Sequence, residues 1–323
     1  MANMRDISKE TGVSLASVSR ILSGDKSFHV REDTRQKVLE TARVLDYRYV
    51  KREKDSKKIG CMLSYTAETY SDEFFFTILN AIKGSLLDAG CSMASLYTTG
   101  EIDVIEDVCR QELLSGLILF EDTLDNDSME RLRNSVPYIV GVETDYNGID
   151  NISHDKYATG VQAVEHLMTR GHKKIAYVGG DERSIHNRSV AYSDLMALRG
   201  FPTPPEYFMD CGWEPDRCHD LILELCSQKD RPTAIFAGSD NLAIAVLSAV
   251  NALGLSTPED VAVVSVNNLD FAAYTSPPLT TVSIPMEEIG VAAAEMLMRR
   301  INGFSGLPVK TLFPTTLIER QSV

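Results

Sequence analysis

The chain has 323 residues, which is enough for two or three domains that each bury a core of their own. Hydrophobic residues make up 44% of it and charged residues 24%, as in ordinary globular proteins. No apolar run approaches the roughly 18 residues that a membrane-spanning helix requires. The N-terminus shows no apolar secretion core, so we expect a cytoplasmic protein with no membrane partner.

The net charge of −14 argues against a nucleic-acid-binding protein until the charge is divided along the chain. Residues 1–58 hold 14 Lys and Arg against 9 Asp and Glu, a net charge of +5. The remaining residues hold 18 against 37, a net charge of −19. This division indicates that only the N-terminal segment approaches phosphates, because like charge keeps the acidic body away from them.

The cysteine and glycine patterns give no support to an enzyme. The six cysteines form no CxxC pair and no Cys/His set with zinc spacing, so we interpret them as reduced structural thiols. Gly179-Gly180 alone is too weak a motif for a phosphate-cradling loop. We therefore predict a protein that is not an enzyme and that needs neither a metal nor another cofactor.

Residues 1–48 carry the pattern of three short helices. The first begins at Met4 and ends at Thr11-Gly12, Ser14 can cap the second, and the third spans about residues 34 to 45. Two helices joined by a glycine-containing turn and packed on a third are typical of a helix-turn-helix domain. Such a domain places its second helix in the major groove of DNA.

The second helix has two faces of different character. By helical periodicity Val18, Ile21 and Leu22 share the apolar face, and Leu15 lies at its edge. The other face carries small residues and hydroxyls together with Arg20, which can pair with guanine or phosphate. The alternative is a small helical bundle whose polar face is merely solvated.

Residues 49–58 form a polar connector in which five of the ten residues are Lys or Arg. From residue 59 onward, strand-like apolar runs alternate with helical stretches, first over residues 59–142 and then over residues 174–266. Alternation of this kind predicts mostly parallel sheets covered on both faces. The predicted fold class is an all-α helix-turn-helix head joined to an α/β body of two Rossmann-like lobes with a cleft between them.

Ligands bind such sheets beyond the carboxyl ends of the strands, so the residues just after each strand are candidates. They combine acids, an amide, hydroxyls and the single tryptophan, a mixture that suits a sugar. Asp240 is interpreted as a helix cap, and the alternatives for the others are solvated loop acids and a half-buried surface tryptophan. The candidates are Thr66, Glu121, Glu143, Trp213, Ser239 and Asn267.

Residues 12–22, with Arg5-Asp6-Ile7-Ser8 before them and residues 30–35 after them, closely resemble the DNA-binding head of the lactose/galactose repressor family. In that family the positions of Leu15 and Ala16 lead base readout, and the resemblance implies the same here. The expected DNA contacts are Ser14, Leu15, Ala16, Ser17, Ser19, Arg20 and, in the connector, Lys51 and Arg52.

The connector departs from the family's pattern. Many relatives carry a hinge helix whose leucines wedge into the minor groove and bend the operator, and this connector has no such apolar wedge. Two mechanisms are then open: contact with phosphates through Lys51, Arg52 and Lys54, or a flexible tether. In both we expect only a small operator bend.

The body also resembles that of the same family, which is periplasmic-binding-protein-like. The resemblance covers residues 166–167 with 171–176, 238–240, 265–268, 277–282 and 318–320. The match looks nearest to the branch that represses β-galactosidase operons. The resemblance places the family's ligand-gripping arginine on Arg188, its stacking aromatic on Trp213 and its late polar pair on Ser239 and Asn267. Most relatives have Asp at the position of Asn267, and we expect Glu143 to supply the missing acceptor.

The predicted domains are a DNA-binding domain over residues 1–48, a linker over 49–58, and an effector-binding and dimerisation domain over 59–323. Lobe 1 takes about residues 59–153 and 284–305, and lobe 2 takes about 154–283 and 306–323. The resemblance implies three crossings between the lobes, near residues 152–155, near 281–285 and after Phe304. The chain shows no heptad tail near Val323, so we expect a homodimer.

Together these features predict a sugar-responsive transcriptional repressor that binds palindromic operator DNA. A galactose or β-galactoside effector in the cleft is the favoured inducer. One alternative is a regulator that uses a corepressor, such as a purine, a phospho-sugar or a partner protein. Another is a two-lobe sugar-binding protein with no regulatory role, although such a transport protein would carry a secretion signal and no helical head.

Overall fold

The computed structural model describes residues 4–22, 28–45, 57–63, 73–111, 113–122, 124–180 and 187–323 of the chain. The chain divides into two compact units, residues 1–57 with 87–92 and residues 58–86 with 93–323. Separate clusters of buried hydrophobic side chains lie in the N-terminal helices and in the larger unit.

The N-terminal helices are α1 (Met4–Thr11), α2 (Leu15–Leu22) and α3 (Glu32–Val44), which confirms the three predicted helices. Gly12 has a φ of 70°, a conformation that residues with a β-carbon rarely adopt, so the chain turns sharply between α1 and α2. One cluster of buried side chains joins the three helices: Ile7, Val18, Ile21, Val38 and Ala42.

The first sheet of the body has the strand order β11-β5-β4-β3-β1-β2, and β1, β3, β4, β5 and β11 pair in parallel. The whole of β3, β4 and β5 is buried. The strands are β1 (Lys58–Leu63), β2 (Ser92–Thr98), β3 (Gly116–Phe120), β4 (Ile139–Val142), β5 (Asp150–His154) and β11 (Lys310–Phe313).

Helices cover the first sheet. Helix α11 (Met286–Ile301) packs on β3, β4 and β5, and α4 (Glu73–Asp88) lies against α11, where an added β-carbon on Gly290 would be 2.5 Å from the carbonyl oxygen of Ile78. Helices α5 (Ile102–Arg110) and α6 (Asn126–Ser135) pack together and share a buried cluster with Leu117 and Leu119 of β3.

The second sheet has the order β12-β10-β9-β8-β6-β7, parallel throughout its registered pairs except for the antiparallel pair β10 and β12. Helices α7 (Lys156–Thr169) and α8 (Arg188–Arg199) pack together, as do α9 (Pro215–Cys226) and α10 (Asp240–Ala252). The strands are β6 (Ile175–Gly179), β7 (Phe208–Asp210), β8 (Ala234–Ala237), β9 (Ala262–Asn267), β10 (Thr280–Ser283) and β12 (Thr316–Ile318).

The chain passes between the two sheets at the ends of β5, β10 and β11. The first two crossings, after His154 and after Ser283, lie where the family resemblance implies them. The third crossing follows Phe313, because β11 pairs with β5, so the predicted change from lobe 1 to lobe 2 between residues 305 and 306 is wrong. Arg300 holds this loop and β5 together: it donates to the carboxylate of Asp150 at 2.6 and 2.8 Å and to the carbonyls of the loop before β11. The chain therefore stays on the first sheet until the end of β11.

The fold class is confirmed, since helix-turn-helix elements precede two α/β sheets of similar topology. The body begins one residue earlier than predicted, because β1 includes Lys58 at the end of the expected linker. Within the described residues, no helix is both long enough and apolar enough to cross a membrane.

Candidate functional site

The outward face of α2 collects the predicted DNA contacts of the head. Val18 and Ile21 are buried, whereas Leu15 is 42% exposed. Leu15 therefore lies on the outer side of the helix, as the family resemblance implies. Ser14, Ala16 and Arg20 are also exposed, and Ser17 and Ser19 are half-buried. Lys51 and Arg52 lie outside the described residues.

Local hydrogen bonds hold α2 in place. The backbone N–H of Ser17 donates to Ser14 Oγ at 3.2 Å, which confirms Ser14 as the cap of this helix. Ser8 Oγ donates to the carbonyl of Val13 at 2.6 Å, and Lys37 Nζ donates to the carbonyl of Thr11 at 3.0 Å. These bonds tie the turn to α1 and α3, so the exposed face of α2 is presented on a fixed support.

The guanidinium of Arg20 lies 5.4 Å from the ring centroid of Phe28, within the range of a cation–π contact. This contact restricts where the side chain can point at the end of α2. A cation in a defined position beside small, exposed residues suits base-edge recognition in the major groove.

Strained backbone marks the carboxyl ends of the body's strands. Among the described residues, five non-glycine residues have positive φ: Glu121 (61°), Glu143 (56°), Trp213 (64°), Asn267 (116°) and Asn268 (58°). They follow β3, β4 and β7 or sit at the end of β9. Such conformations cost about 1–3 kcal/mol each and collect at ligand sites. Four of the five are effector candidates from the sequence.

Trp213 lies over two glycines of neighbouring strand ends. A β-carbon on Gly180 would be 2.1 Å from Trp213 Nε1, and one on Gly238 would be 2.9 Å from the far edge of the same ring. The ring stays 39% exposed. A glycine is therefore needed at position 180 because the Trp213 ring packs there, and phosphate binding is not required to explain it.

Arg188 lies beside this ring. It opens α8 after the cap Asn187, its Nη1 donates to the carbonyl of Gly238 at 2.5 Å, and its guanidinium carbon is 5.4 Å from the Trp213 ring centroid. The carbonyl and the ring orient the guanidinium fork. The pair therefore offers charged donors and an aromatic surface within one small region, as a polyhydroxyl ligand requires.

Ser239 and Asn267 lie at the ends of β8 and β9, and both are buried. Ser239 Oγ accepts from the backbone N–H of Leu242 at 3.3 Å, so Ser239 caps α10. The expectation that Asp240 is the cap is wrong. Asp240 is the first residue inside the helix, and its carboxylate turns into the core instead.

Glu143 differs from the free acceptor that the sequence suggests. Its Oε1 accepts from the backbone N–H of His154 at 3.1 Å and lies 3.0 Å from His154 Nδ1, and its Oε2 accepts from Ser153 Oγ at 3.0 Å. Lys156 Nζ is 3.7 Å from Oε2. Only 5% of Glu143 is exposed, because β4 delivers it between the end of β5 and the start of α7.

The contacts within this cluster determine the charges of Glu143 and His154. Burial by itself would raise the pKa of Glu143, but His154, Lys156 and Ser153 together lower the pKa to about 2. Burial lowers the pKa of His154, so the imidazole is neutral near pH 7 and its Nδ1–H donates to the carboxylate. His154 and Lys156 were not predicted from the sequence, and their only signal was their position at the first crossing between the lobes.

Two candidates remain to be placed. Thr66 lies outside the described residues, and Glu121 is half-buried just beyond β3. Within the described ranges, no group of three or more His, Cys, Asp or Glu side chains is arranged to hold a metal ion.

Comparison with known proteins gives this geometry a family. The model of bacterial regulatory proteins of the lacI family matches residues 3–48, and that of a periplasmic binding protein-like domain matches residues 164–323. The HTH-type transcriptional repressor MelR of Bacillus subtilis (strain 168) is 30% identical over 344 residues, covering 100% of this chain and 97% of the relative.

Two solved structures share the fold. The complex of the transcriptional regulator CelR with cellobiose superposes with a TM-score of 0.75 at 22% identity and covers 100% of both chains. The lac repressor dimer bound to operator and the anti-inducer ONPF superposes with a TM-score of 0.72 at 21% identity, covering 99% of this chain and 98% of that one. The chain belongs to the lacI family of bacterial regulatory proteins and is a DNA-binding transcriptional repressor.

Proposed function

We propose that this chain represses a galactose or galactoside utilisation operon, and that a small sugar bound between its two lobes releases it from the operator. The observation that carries the sugar site is the contact between Arg188 and Trp213, whose ring lies over Gly180 and Gly238. A pyranose stacks its C–H face on an indole ring, while its hydroxyls accept from a guanidinium. Both partners are already held in place by the protein, which reduces the cost of binding.

The remaining site residues complete this proposal. Asn267 carries an amide that both donates and accepts, where a carboxylate only accepts, so it can satisfy a hydroxyl in either direction. We also assign to this site Ser239 and Glu121, which follow strands of the second and the first sheet, and Thr66, which lies outside the described residues. We assign Glu143 an indirect role, because its oxygens are engaged by His154, Ser153 and Lys156.

On the DNA side, we propose that two heads of a homodimer bind a palindromic operator in successive major grooves, through Ser14, Leu15, Ala16, Ser17, Ser19 and Arg20. The exposed face of α2 supports this assignment. Lys51 and Arg52 would add phosphate contacts in the connector. The lac repressor was solved as a dimer bound to operator, and CelR was solved as a complex with cellobiose. They support a dimer and a saccharide here.

The proposed mechanism is a shift between two arrangements of the lobes. Arg188, Trp213, Ser239 and Asn267 belong to the second lobe, whereas Glu121 belongs to the first. A sugar that bridges the two sides favours the arrangement in which they are close. It releases DNA only to the extent that it binds this arrangement more tightly than the DNA-bound one.

The test uses the full chain and DNA fragments selected by it from a random pool. A thermal-shift panel of mono- and disaccharides identifies the effector, because a ligand bound to the folded state raises the melting temperature. We expect galactose or a β-galactoside to stabilise the protein and to release the DNA. In the Arg188→Ala variant we expect DNA binding without sugar release, while Arg199→Ala at the other end of α8 behaves like the parent.

A parental sugar response in the Arg188→Ala variant would contradict the site. The corepressor alternative predicts the opposite sign, since a purine, a phospho-sugar or a partner protein would strengthen retention of DNA. A two-lobe sugar-binding protein without a regulatory role would show a thermal shift and no retained fragment.

A further inference from the structure

Asp240 is a fully buried carboxylate at the first turn of α10. It accepts hydrogen bonds from Ser265 Oγ of β9, from Thr281 Oγ1 of β10 at 2.7 Å, and from the backbone N–H of Leu269 at 2.7 Å. The three donors come from two neighbouring strands and from the turn after β9. One side chain therefore joins three separate pieces of the second lobe.

Thr281 extends this arrangement to the strained turn. Its Oγ1 donates to Asp240 and accepts from the backbone N–H of Asn268 at 3.3 Å. A carboxylate can only accept, so it fixes the direction of both bonds. Because Thr281 must give its proton to Asp240, its oxygen is left to receive the N–H of Asn268.

The same turn is held from its other side. Arg320 Nη2 donates to Asn268 Oδ1 at 2.7 Å, and Asn268 Nδ2 donates to Ser283 Oγ at 3.3 Å. Asn267 and Asn268 have φ values of 116° and 58°, which persist only where surrounding bonds determine the backbone. Asp240 holds the same turn from its buried side, through Thr281.

We propose that Asp240 is a positioning residue that joins the Asn267–Asn268 turn to the crossing strand β10 as one hydrogen-bonded unit. Thr281 lies in β10, two residues before the last residue of that strand, and the chain then crosses to α11 on the first sheet. A ligand held at Asn267 would thus act on a segment that leads directly to the other lobe. This inference rests on the proposed effector site.

The role of Asp240 can be tested without a ligand, by changing the protonation state of its carboxylate. Burial raises the pKa of Asp240 to about 6, opposed by its bonds to Ser265, Thr281 and Leu269 and by the charge of Arg320. A protonated carboxyl can donate to one hydroxyl and reverse its bond. The hydrogen-bond pattern of the turn should therefore change as the pH falls through about 6.

The first experiment reads Trp213, the single tryptophan, whose ring packs against Gly238 two residues before Asp240. We expect its emission in the full chain to change with a midpoint near pH 6. The change should vanish in Asp240→Asn and persist in Asp270→Asn, an exposed acid on the same turn. A flat profile in the parent, or an unchanged one in Asp240→Asn, would overturn the proposal.

The second experiment compares Thr281→Val, which removes the hydroxyl at nearly constant volume, with Thr281→Ser, which keeps it. With methyl β-D-galactoside as probe, we expect the midpoint concentration for operator release to rise at least about tenfold in Thr281→Val only, with DNA binding unchanged in its absence. Equal responses in the two variants would refute the relay. If the parent responds to no sugar, the proposed function fails, while the Trp213 titration still decides the role of Asp240.

Discussion

The guanidinium carbon of Arg188 lies 5.4 Å from the centroid of the Trp213 ring, and both groups contact Gly238, through its carbonyl and above its α-carbon respectively. A single glycine thus supports the charged and the aromatic half of the candidate site. Cation–π contacts of this kind contribute about 0.5–2 kcal/mol, with the larger values where the cation is desolvated. Here the contact also fixes the geometry in which a ligand would meet both groups.

The first prediction concerns the glycine floor under the ring. In Gly180→Ala, the new β-carbon would be 2.1 Å from Trp213 Nε1, so the ring must move. We expect a shifted Trp213 emission, greater quenching by acrylamide and loss of the sugar response, with operator binding retained. Gly84→Ala is the matched control, because an added β-carbon there meets nothing within 4 Å. Parental emission in Gly180→Ala would show that the ring is not held as described.

The second prediction concerns the contact between α7 and α8 that positions Arg188. In Gly160→Ala, the added β-carbon would be 2.7 Å from the carbonyl oxygen of Arg188 and 2.8 Å from Ala191 Cβ. The start of α8 must shift, and overpacking of this kind costs about 1–3 kcal/mol. We expect a lower melting temperature together with a weaker sugar response in operator release.

Its control separates stability from site geometry. Gly290→Ala overpacks a helix contact in the first lobe to a similar degree, with Ile78 O at 2.5 Å and Ala81 Cβ at 2.7 Å. We expect it to lower the melting temperature while leaving the midpoint sugar concentration unchanged. If both variants shift that midpoint equally, general destabilisation rather than the position of Arg188 explains the effect.

Much of this architecture follows from sequence periodicity. Helix α1 ends at Thr11 as predicted, because the glycine that follows it turns the chain. The missed strand β5 reads Asp-Asn-Ile-Ser-His, which has no apolar run although all five residues are buried. Asp150 and the Nδ1 of His154 are paired with Arg300 and Glu143, which lie outside the strand, and no local pattern reveals such partners.

The candidate site was predictable to a similar extent. The rule that ligands bind beyond strand ends places Trp213 and Asn267 correctly at strained strand ends. The rule does not distinguish Ser239 from Asp240. Ser239 caps α10 and Asp240 is buried in the core, and only the position at which the helix begins decides which residue takes which role. Nor does the rule predict that Glu143 is already paired, because that depends on how β5 and α7 approach β4.

The third prediction tests the face of α2. In Arg20→Ala, the cation beside Phe28 is lost, and with it a contact that can discriminate a base. A good base contact contributes about 1–3 kcal/mol of discrimination, so operator affinity should fall by about tenfold or more, as gel retardation measures. Arg43→Ala removes the same charge from exposed α3 and should weaken specific and random DNA alike. Equal losses in the two variants would make Arg20 a general phosphate contact.

The last prediction follows from the buried Glu143 cluster. The pKa of Glu143 is lowered from an ordinary 4.5 to about 2. As the pH falls, the carboxylate of Glu143 is therefore protonated in the unfolded chain before it is protonated in the folded one. The stabilisation is therefore fully present above about pH 4.5 and is lost as the pH falls towards 2. Glu143→Gln leaves Lys156 beside an uncharged amide and should reduce the free energy of unfolding by about 1–3 kcal/mol near pH 7.

Urea unfolding of the parent and of Glu143→Gln across the acid range measures this difference. The gap between the two should shrink as the pH falls below about 4.5, because the parent then loses the same charge. Glu165→Gln, an exposed acid on α7, should match the parent at every pH. If the difference in free energy of unfolding stays constant with pH, the amide destabilises the protein through its shape or hydrogen bonding. The charge of Glu143 would then contribute nothing to holding β5 and α7 at the first crossing.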